Sequence, residues 1–262
     1  MAVDANSSFL QWVIYIVQAY WPLFLRGAEV TLVISLTGTI IGFALGILIG
    51  IIRTIPIDNN THILKRAIYK VVNVLLLIYI EVFRGTPMIV QAMVIFYGVA
   101  MVWGIHLSTY AAGIFIVSIN TGAYMAEIVR GGIISIDKGQ FEAAHAIGMT
   151  HSQTMAFIVL PQAIRNILPA LSNEFVINIK DTSVLNVIGV TELFFQSKSA
   201  AGNNYRYFEV FLITCLVYLV MTFTVTRILR YWEKRLEGPE VYTIHGSQTV
   251  PEAEIKIVGK KG

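Results

Sequence analysis

Long apolar stretches separate shorter polar segments along this chain, and their lengths predict membrane-spanning helices. The clearest stretch runs from Val30 to Ile52 without a charged residue, which is long enough for a helix to cross a hydrocarbon core of about 30 Å. Leu107 to Ala126 and Tyr207 to Thr226 are apolar over a similar length, and Leu168 to Val190 is apolar but carries charges. The pattern predicts an all-α membrane protein.

The stretch from Ala67 to Gly104 is too long for one straight crossing. As a single helix at about 1.5 Å per residue it would measure roughly 55 Å. The run Arg84-Gly85-Thr86-Pro87 divides it, and proline removes a backbone hydrogen-bond donor. We therefore predict a kinked second span that is preceded by an amphipathic lead-in on the membrane surface.

These spans divide the chain into three parts. Residues 1–27 are predicted to be an N-terminal extracellular or interfacial segment, because Phe9 to Leu25 is rich in Trp and Tyr, whose rings favour the bilayer interface. Residues 28–236 form the transmembrane domain, and residues 237–262 form a polar cytoplasmic tail without helical periodicity. The predicted spans cover residues 30–52, 70–104, 107–128, 168–190 and 207–229.

Composition and charge fit this arrangement. The chain is 56% hydrophobic and 13% charged, with a mean hydropathy of +0.68, whereas soluble domains are about 25% charged. A single cysteine excludes an internal disulfide framework, and no Cys/His set has metal-ligand spacing. Most of the 19 Lys and Arg residues fall in the loops around residues 53–70 and 130–165 and in the tail. The positive-inside rule therefore puts the N-terminus outside and the C-terminus in the cytoplasm.

The first span carries glycines at strict four-residue intervals: Gly38, Gly42, Gly46 and Gly50. This spacing puts them along one side of the helix. A strip without side chains lets another helix approach closely, so we expect tight bundling here and no chemistry.

Polar residues within the spans also follow helical spacing. A charge at the centre of a membrane helix costs about 2.5 to 3.5 kcal/mol unless it faces a cavity or a partner. Helical faces that are polar can be buried only against each other or around water, which favours a solute pathway through the bundle. The candidate pathway residues are Glu81 and Arg84 in the second span, Asn120 and Glu127 in the third, and Glu174, Asn178, Lys180 and Asp181 in the fourth.

An alternative explanation for these residues stays open. Structural ion pairs, such as Arg84 with Glu127 or Lys180 with Glu174, would fasten the helices together without touching solute. If the residues line a pathway, charges of both signs would suit a zwitterion, because its carboxylate needs a cation and its ammonium needs a carboxylate.

The segment from Gln140 to Arg165 is too polar to cross the membrane. It predicts a short surface helix that Gly148 interrupts, followed by a second helix that begins after Ser152 and runs toward Pro161. Such a projecting unit is suited to docking another protein, although it could equally be an ordinary loop. The chain has no G-x-x-x-x-G-K-[ST] pattern and no recognisable catalytic motif, so we expect no enzyme and no cofactor in this chain.

One part of that segment resembles a known signature. Glu142, Ala143, Ala144, Gly148, Leu160 and Pro161, with Ile158, match the pattern E-A-A-x-x-x-G-x9-I-x-L-P of permease subunits of bacterial ATP-binding-cassette importers. Three further runs resemble the polar amino acid branch of this family, close to the histidine and glutamine permeases. They are Glu81-Val-Phe-Arg-Gly-Thr-Pro87, the run from Tyr124 to Gly132, and Ile179-Lys-Asp-Thr-Ser183.

The resemblance implies a five-span subunit with the type I importer permease fold, in which residues 142 to about 151 form a cytoplasmic coupling helix. It further implies a multi-pass protein of the bacterial cytoplasmic (inner) membrane that carries a polar amino acid, glutamine first. Its partners would be a second permease subunit, identical or homologous, an extracellular or periplasmic solute-binding protein, and an ATPase dimer that binds ATP and Mg. The residues alone would also permit a secondary transporter or a membrane scaffold.

Overall fold

The computed structural model describes residues 7–55 and 62–236, and these residues are almost entirely helical. The predicted all-α class is confirmed. The helices are α1 (Phe9–Thr54), α2 (Ile63–Gly85), α3 (Met88–Trp103), α4 (Thr109–Ile134), α5 (Lys138–Ala146), α6 (His151–Thr154), α7 (Leu160–Asp181), α8 (Leu193–Asn204) and α9 (Tyr207–Leu236). A π-helical turn, Met155–Val159, joins α6 to α7, and a 3₁₀ turn, Thr182–Ile188, follows α7.

The described helices include four stretches that are long and apolar enough to cross a membrane: α1, α4, the continuous stretch His151–Ile188, and α9. Helices α2 and α3 reach that standard only together, and they meet at an angle of 115°. The count equals the five predicted spans when this bent pair is taken as one.

Contacts between the long helices fix their relative directions. In α1 and α4, Gly38 faces Val117 and Gly50 faces Val129, so the two helices run parallel. Helix α7 is antiparallel to α4, because Thr121 contacts residue 178 while Gly132 contacts Ile167.

Helix α2 runs opposite to α1 and α4. The hydroxyl of Tyr69 donates to the carbonyls of Ile52 and Ile55 at the end of α1, whereas Tyr79, further along α2, donates to the carbonyl of Ile119 in the middle of α4. The chain thus reverses direction between α1 and α2 and again before α4, as a multi-pass bundle requires.

Helix α1 differs from the prediction of an interfacial segment followed by a separate span. It runs unbroken from Phe9 to Thr54, and its 46 residues measure about 69 Å at about 1.5 Å per residue. Ser8 starts it with a capping box, in which Gln11 N–H donates to the Ser8 hydroxyl and Ser8 N–H donates to the Gln11 side chain. No helix boundary follows residue 27, so the predicted boundary is wrong in this respect. Gly27 lies within α1, where it packs against Leu193 of α8, and the helix continues past it.

The other predicted spans are displaced by smaller amounts. Helix α4 extends to residue 134 and not 128, the fourth span is already helical from residue 151, and α9 continues to residue 236. The second predicted span is two helices that break at Thr86 and Pro87, where Pro87 supplies no N–H to continue α2. The predicted tail, 237–262, lies outside the described residues.

The glycine strip of α1 packs directly on α4, which confirms the predicted close approach. A Cβ atom on Gly38, Gly42 or Gly50 would lie 2.5 to 2.7 Å from the side chain opposite it in α4. At Gly46 it would lie 2.3 Å from Met125 Cβ and 2.8 Å from the Met125 backbone carbon. No real Cβ atom fits at such distances, so the helix spacing requires glycine along this seam.

A buried carboxylate caps the start of α8, the short helix that lies between α7 and α9 along the chain. Glu192 accepts hydrogen bonds from the N–H groups of Phe194 and Phe195 and from the hydroxyl of Tyr218 in α9. Burial raises the pKa of Glu192 and outweighs these hydrogen bonds, which lower it, so that the resulting pKa is about 7. Helix α8 is thereby capped and tied to α9 by one side chain.

The seam predicts a difference between two glycine-to-alanine substitutions. Gly46→Ala forces α1 and α4 apart, and overpacking of this kind costs about 1 to 3 kcal/mol. In Gly131→Ala, the added methyl group of α4 has no atom within 4 Å. Both substitutions raise the helix propensity by the same amount. Thermal unfolding of the two variants in detergent should show a lower midpoint for Gly46→Ala only, and equal midpoints would contradict the seam.

Candidate functional site

The described polar residues of the spans fall into groups that the structure separates. Some are buried and bonded between helices, and others are exposed on the surface of the chain. Seven of the eight candidate pathway residues are divided between these two groups, and Glu174 is buried without a hydrogen bond or ion pair to another described residue.

Asn178 joins three helices at the centre of the bundle. It is buried, and its side-chain amide donates to Thr39 Oγ1 of α1 at 2.8 Å and to Thr121 Oγ1 of α4 at 2.9 Å. Both amide hydrogens of this α7 residue are therefore used inside the protein. Hydrogen bonds between membrane helices stabilise a bundle by about 0.6 kcal/mol each on average.

The corner between α2 and α3 is held by Gln91, which the sequence analysis did not single out. Its amide nitrogen donates to the carbonyls of Phe83 and Thr86, at 2.9 and 2.8 Å. These carbonyls belong to the end of α2, where no further helical turn supplies an N–H. A helix break at Pro87 leaves backbone carbonyls without helical N–H donors. The sequence could therefore have indicated Gln91, because a nearby polar side chain is needed to donate to these carbonyls.

Asn120 completes this corner from α4. Its amide donates to Gln91 Oε1 at 2.9 Å and to the Phe83 carbonyl at 3.3 Å. Gln91 is thus a donor to the broken helix and an acceptor from α4. The candidate pathway residue Asn120 binds the bent pair to the rest of the bundle.

Glu127 lies in an ion-pair cluster at the far end of α4. Its carboxylate pairs with Arg53 at the end of α1 and accepts from Arg130 Nε and Nη2 at 3.1 and 2.9 Å. The sequence analysis considered an ion pair between Glu127 and Arg84, but the structure pairs Glu127 with Arg53 and Arg130 instead. The cluster clamps the same ends of α1 and α4 that the glycine seam brings together.

Glu81 and Arg84 lie on α2 with exposed side chains. The guanidinium of Arg84 lies over the ring of Tyr124 in α4, 5.5 Å from the ring centroid, which is within cation–π range. Tyr124 and Glu127 share a helical face by spacing, yet they contact different partners. The polar face predicted for α4 is thus shared between the α2 corner, Arg84 and the Arg53 cluster.

The polar face of α7 is divided by depth. Glu174 is 9% exposed, and no hydrogen bond or ion pair joins its carboxylate to another described residue. Lys180 and Asp181, at the end of the helix, are exposed and form no ion pair with other described residues. Ionisable groups that form no hydrogen bond or ion pair with the described residues are available to a ligand or to a second chain.

The segment from residue 138 to 161 forms a projecting helix, a break and a second helix. Gly148, two residues after the end of α5, has a φ of +83° and terminates the helix. The Gly148 N–H donates to the carbonyl of His145, and the Met149 N–H donates to the carbonyl of Ala144. This left-handed cap needs glycine. Glu142 and Ala143 are exposed, whereas Ala144 is buried.

The second helix begins two residues earlier than predicted and does not end at Leu160-Pro161. Thr150, not Ser152, is its N-cap, with a reciprocal pair of hydrogen bonds to Gln153. Leu160 N–H donates to the carbonyl of Met155, five residues back, in the π-helical turn. Because this turn already departs from α-helical bonding, Pro161 enters α7 without ending the helix.

Apolar side chains on this segment face outward. Ile147 is 79% exposed and Phe157 is 71% exposed. Both lie in the segment from Gln140 to Arg165, outside the predicted spans, although Phe157 also belongs to the helical stretch His151–Ile188, which is long and apolar enough to cross a membrane. Large exposed apolar groups are typical of surfaces that contact another protein or a membrane.

Comparisons with known proteins agree with these features. The sequence model of a family described as binding-protein-dependent transport system inner membrane component matches residues 63–238. The glutamine transport system permease protein GlnP of Escherichia coli is 37% identical over 223 residues, which cover 84% of this chain and 96% of the relative. The arginine transport system permease protein ArtQ of Bacillus subtilis is 33% identical over 217 residues, 83% of this chain and 94% of the relative.

Two solved structures have the same fold. A chain of an amino acid ABC transporter crystallised with histidines is 38% identical, with a TM-score of 0.73, over 90% of this chain and 100% of that one. A chain of the MetNI methionine ABC transporter in an inward-facing conformation has a TM-score of 0.65 at 18% identity, over 82% of this chain and 96% of that one.

The division of polar residues predicts two different stability effects. Asn178→Leu removes two interhelical hydrogen bonds and should lower the stability of the bundle by about 1 to 2 kcal/mol. Asp181→Asn, on an exposed side chain of the same helix, should leave the unfolding midpoint in detergent unchanged. A fall of equal size in both variants would show that Asp181 also fastens the bundle.

Proposed function

This chain belongs to the family of binding-protein-dependent transport system inner membrane components, and from that premise we propose that it is the permease subunit of an ATP-binding-cassette importer for a polar amino acid. Glutamine is the solute we propose first, because the glutamine permease of Escherichia coli aligns with nearly its whole length. The observation that carries the proposal is the segment from Glu142 to Pro161, which matches the importer signature and projects from the bundle as a capped helix.

The proposed assembly pairs this chain with a second permease subunit, a dimer of ATPases and a solute-binding protein. ATP and Mg would be bound by the ATPases, since this chain has no phosphate-binding loop. The side of α5 that carries Glu142 and Ala143, together with exposed Ile147 and Phe157, is the proposed contact with the ATPase. This surface combines a rigid cap at Gly148 with apolar area that lies outside the bilayer.

The proposed orientation follows from the positive residues. Helix α9 runs parallel to α1, so its C-terminal end, with Arg230, Lys234 and Arg235, points toward the end of the bundle that holds Arg53, Arg130 and the coupling segment. The positive-inside rule places this end in the cytoplasm. Because the long helices alternate in direction, the N-terminus then lies outside.

We propose that the eight polar residues of the spans line the solute pathway in two roles. Glu81, Arg84, Lys180, Asp181 and the unpaired Glu174 are the proposed contacts for the two charges of an amino acid. Asn120, Glu127 and Asn178 hold the helices that form its wall, because their side chains already bond to neighbouring helices. ATP-driven closure of the ATPases would move the coupling segments together and open the pathway to the other side.

The transport assignment is tested by uptake into liposomes that hold this chain with the ATPase, the solute-binding protein and any second permease subunit encoded beside it. Radiolabelled glutamine should accumulate in an ATP-dependent manner, in preference to arginine, histidine, cystine and glutamate. Uptake of another amino acid would keep the importer and change the solute. Uptake without ATP would identify a secondary transporter, and no uptake despite ATP hydrolysis by the bound ATPase would refute the amino acid assignment.

The same vesicles separate pathway residues from structural ones. Asp181→Asn should raise the KM for uptake, because it removes a charge from the proposed pathway. Lys198→Gln, on an exposed side chain of α8, should leave the KM unchanged. An unaltered KM in both variants would remove Asp181 from the pathway.

The coupling role is tested by a matched pair of glycine variants. Gly148 and Gly202 both have open space around them, but only Gly148 has a positive φ, which costs an alanine about 1 to 2 kcal/mol. Gly148→Ala should therefore distort the cap and lower ATP-driven uptake several-fold, while the ATPase continues to hydrolyse ATP. Gly202→Ala should transport normally.

Glu142→Ala provides an independent check on the same surface. The side chain is exposed and is not needed by the bundle, so the variant should insert normally yet lose uptake with the ATPase still active. Undiminished uptake by both Glu142→Ala and Gly148→Ala would contradict the coupling assignment.

A further inference from the structure

Two adjoining clefts lie between α7 and the C-terminal part of α9. The first has a volume of about 220 Å³, and its polar lining includes Ser172 and Asn173 of α7 and Thr226, Arg230 and Glu233 of α9. Hydroxyl groups, an amide and charges of both signs therefore share one small space.

The second cleft is an apolar groove of about 230 Å³ that α1 closes on its third side. Its walls include Ile40 and Phe43 of α1, Phe175 of α7 and Trp232 of α9. Ser172, Leu229 and Glu233 line both clefts, so the two spaces adjoin at these residues.

The groove lies beside the centre of the bundle. Its α1 residues, from Leu36 to Phe43, belong to the middle of the charge-free stretch Val30–Ile52. One of them, Thr39, accepts the hydrogen bond from Asn178. A charged group beside such apolar surroundings is unfavourable unless it faces a cavity or a partner. The two charges of the adjoining polar cleft therefore need a partner.

These two charges have no such partner among the described residues. Arg230 and Glu233 form no ion pair or hydrogen bond with each other or with another described residue. In contrast, Arg227 of the same helix lies over the ring of Phe223, 4.8 Å from its centroid. The cation and the carboxylate of the cleft are thus both available to a ligand.

Charges of opposite sign in one cleft are complementary to a zwitterion. An anion would satisfy Arg230 alone and a cation would satisfy Glu233 alone, and each would leave the other residue unpaired. An α-amino acid satisfies both, because its carboxylate accepts from the guanidinium and its ammonium donates to the carboxylate. Each cleft is smaller than the about 300 Å³ at which pockets for drug-sized ligands begin, so the size also suits an amino acid.

The arrangement of the clefts selects the side chain of that amino acid. Arg230 lines only the polar cleft, whereas Glu233 lies where the two clefts adjoin. An amino acid with its carboxylate at Arg230 and its ammonium at Glu233 has its side chain next to the groove. Because the groove is lined by aliphatic and aromatic residues, it favours a hydrocarbon side chain over a polar one.

We propose that the two clefts together bind an α-amino acid with an apolar side chain. Its charged groups pair with Arg230 and Glu233, and its side chain fills the groove between α1, α7 and α9. The eight candidate pathway residues line neither cleft. The site is therefore separate from the proposed solute pathway and does not depend on which solute is carried.

The proposal is tested by equilibrium binding of radiolabelled phenylalanine to the full chain in nanodiscs. Phenylalanine should bind saturably, and alanine should compete at least about tenfold more weakly because it leaves the groove empty. Phenethylamine lacks the carboxylate and 3-phenylpropionate lacks the ammonium, so neither should compete. Absence of saturable binding, or competition by glutamine as strong as that by unlabelled phenylalanine, would overturn the proposal.

Substitutions of the two charges assign the binding to the clefts. Arg230→Gln and Glu233→Gln should each weaken phenylalanine binding about tenfold, because each removes a charge-assisted hydrogen bond. Lys234→Gln is the matched control, since Lys234 lies in the same turn but lines neither cleft. It should bind phenylalanine as the unmodified chain does, and an equal loss in Lys234→Gln and Glu233→Gln would contradict the site.

Thermal unfolding in detergent provides a second readout that needs no transport. A ligand that binds only the folded chain raises its stability. Saturating phenylalanine should raise the unfolding midpoint of the unmodified chain and of Lys234→Gln, but not that of Arg230→Gln. A rise of the same size in Arg230→Gln, or no rise in the unmodified chain, would refute binding at these clefts.

Discussion

The close contact of α1 with α4 is the constraint on which the rest of the bundle depends. Four glycines of α1 face Val117, Thr121, Met125 and Val129 of α4, each with too little room for a methyl group. Both sets repeat every four residues, so the two parallel helices remain in register over the whole seam. This register brings Thr39 and Thr121 within reach of a single amide on α7, and Arg53 within reach of Glu127.

A second constraint is that backbone groups in a membrane need partners inside the protein. Helix α2 ends at the corner with α3, and the carbonyls that it leaves are bonded by Gln91, which is bonded in turn by Asn120. The sharp corner therefore exists because one glutamine replaces the missing helical donors. The same principle applies at α8, where the Glu192 carboxylate accepts from the first free N–H groups.

The sequence was most informative where a feature is repeated along one helix. Charge-free stretches located the spans, four-residue spacing located the seam, and Pro87 located the break. It was least informative where the outcome depends on a distant partner. Glu127 pairs with Arg53, 74 residues away, and no local pattern distinguishes this partner from Arg84. The continuity of α1 through Gly27 likewise depends on Leu193, and Pro161 continues a helix only because a π-helical turn precedes it.

That unbroken path from His151 to Asp181 has a mechanical consequence. The helix starts three residues after Gly148, on the exposed segment, and its 31 residues extend about 46 Å at about 1.5 Å per residue. Asn178, which bonds to α1 and α4, restrains this path close to its other end, where Lys180 and Asp181 lie. Near the outer end, the π-helical turn departs from α-helical bonding. One continuous helical path therefore connects the exposed segment to the polar side chains of α7, and its inner end is held by two other helices.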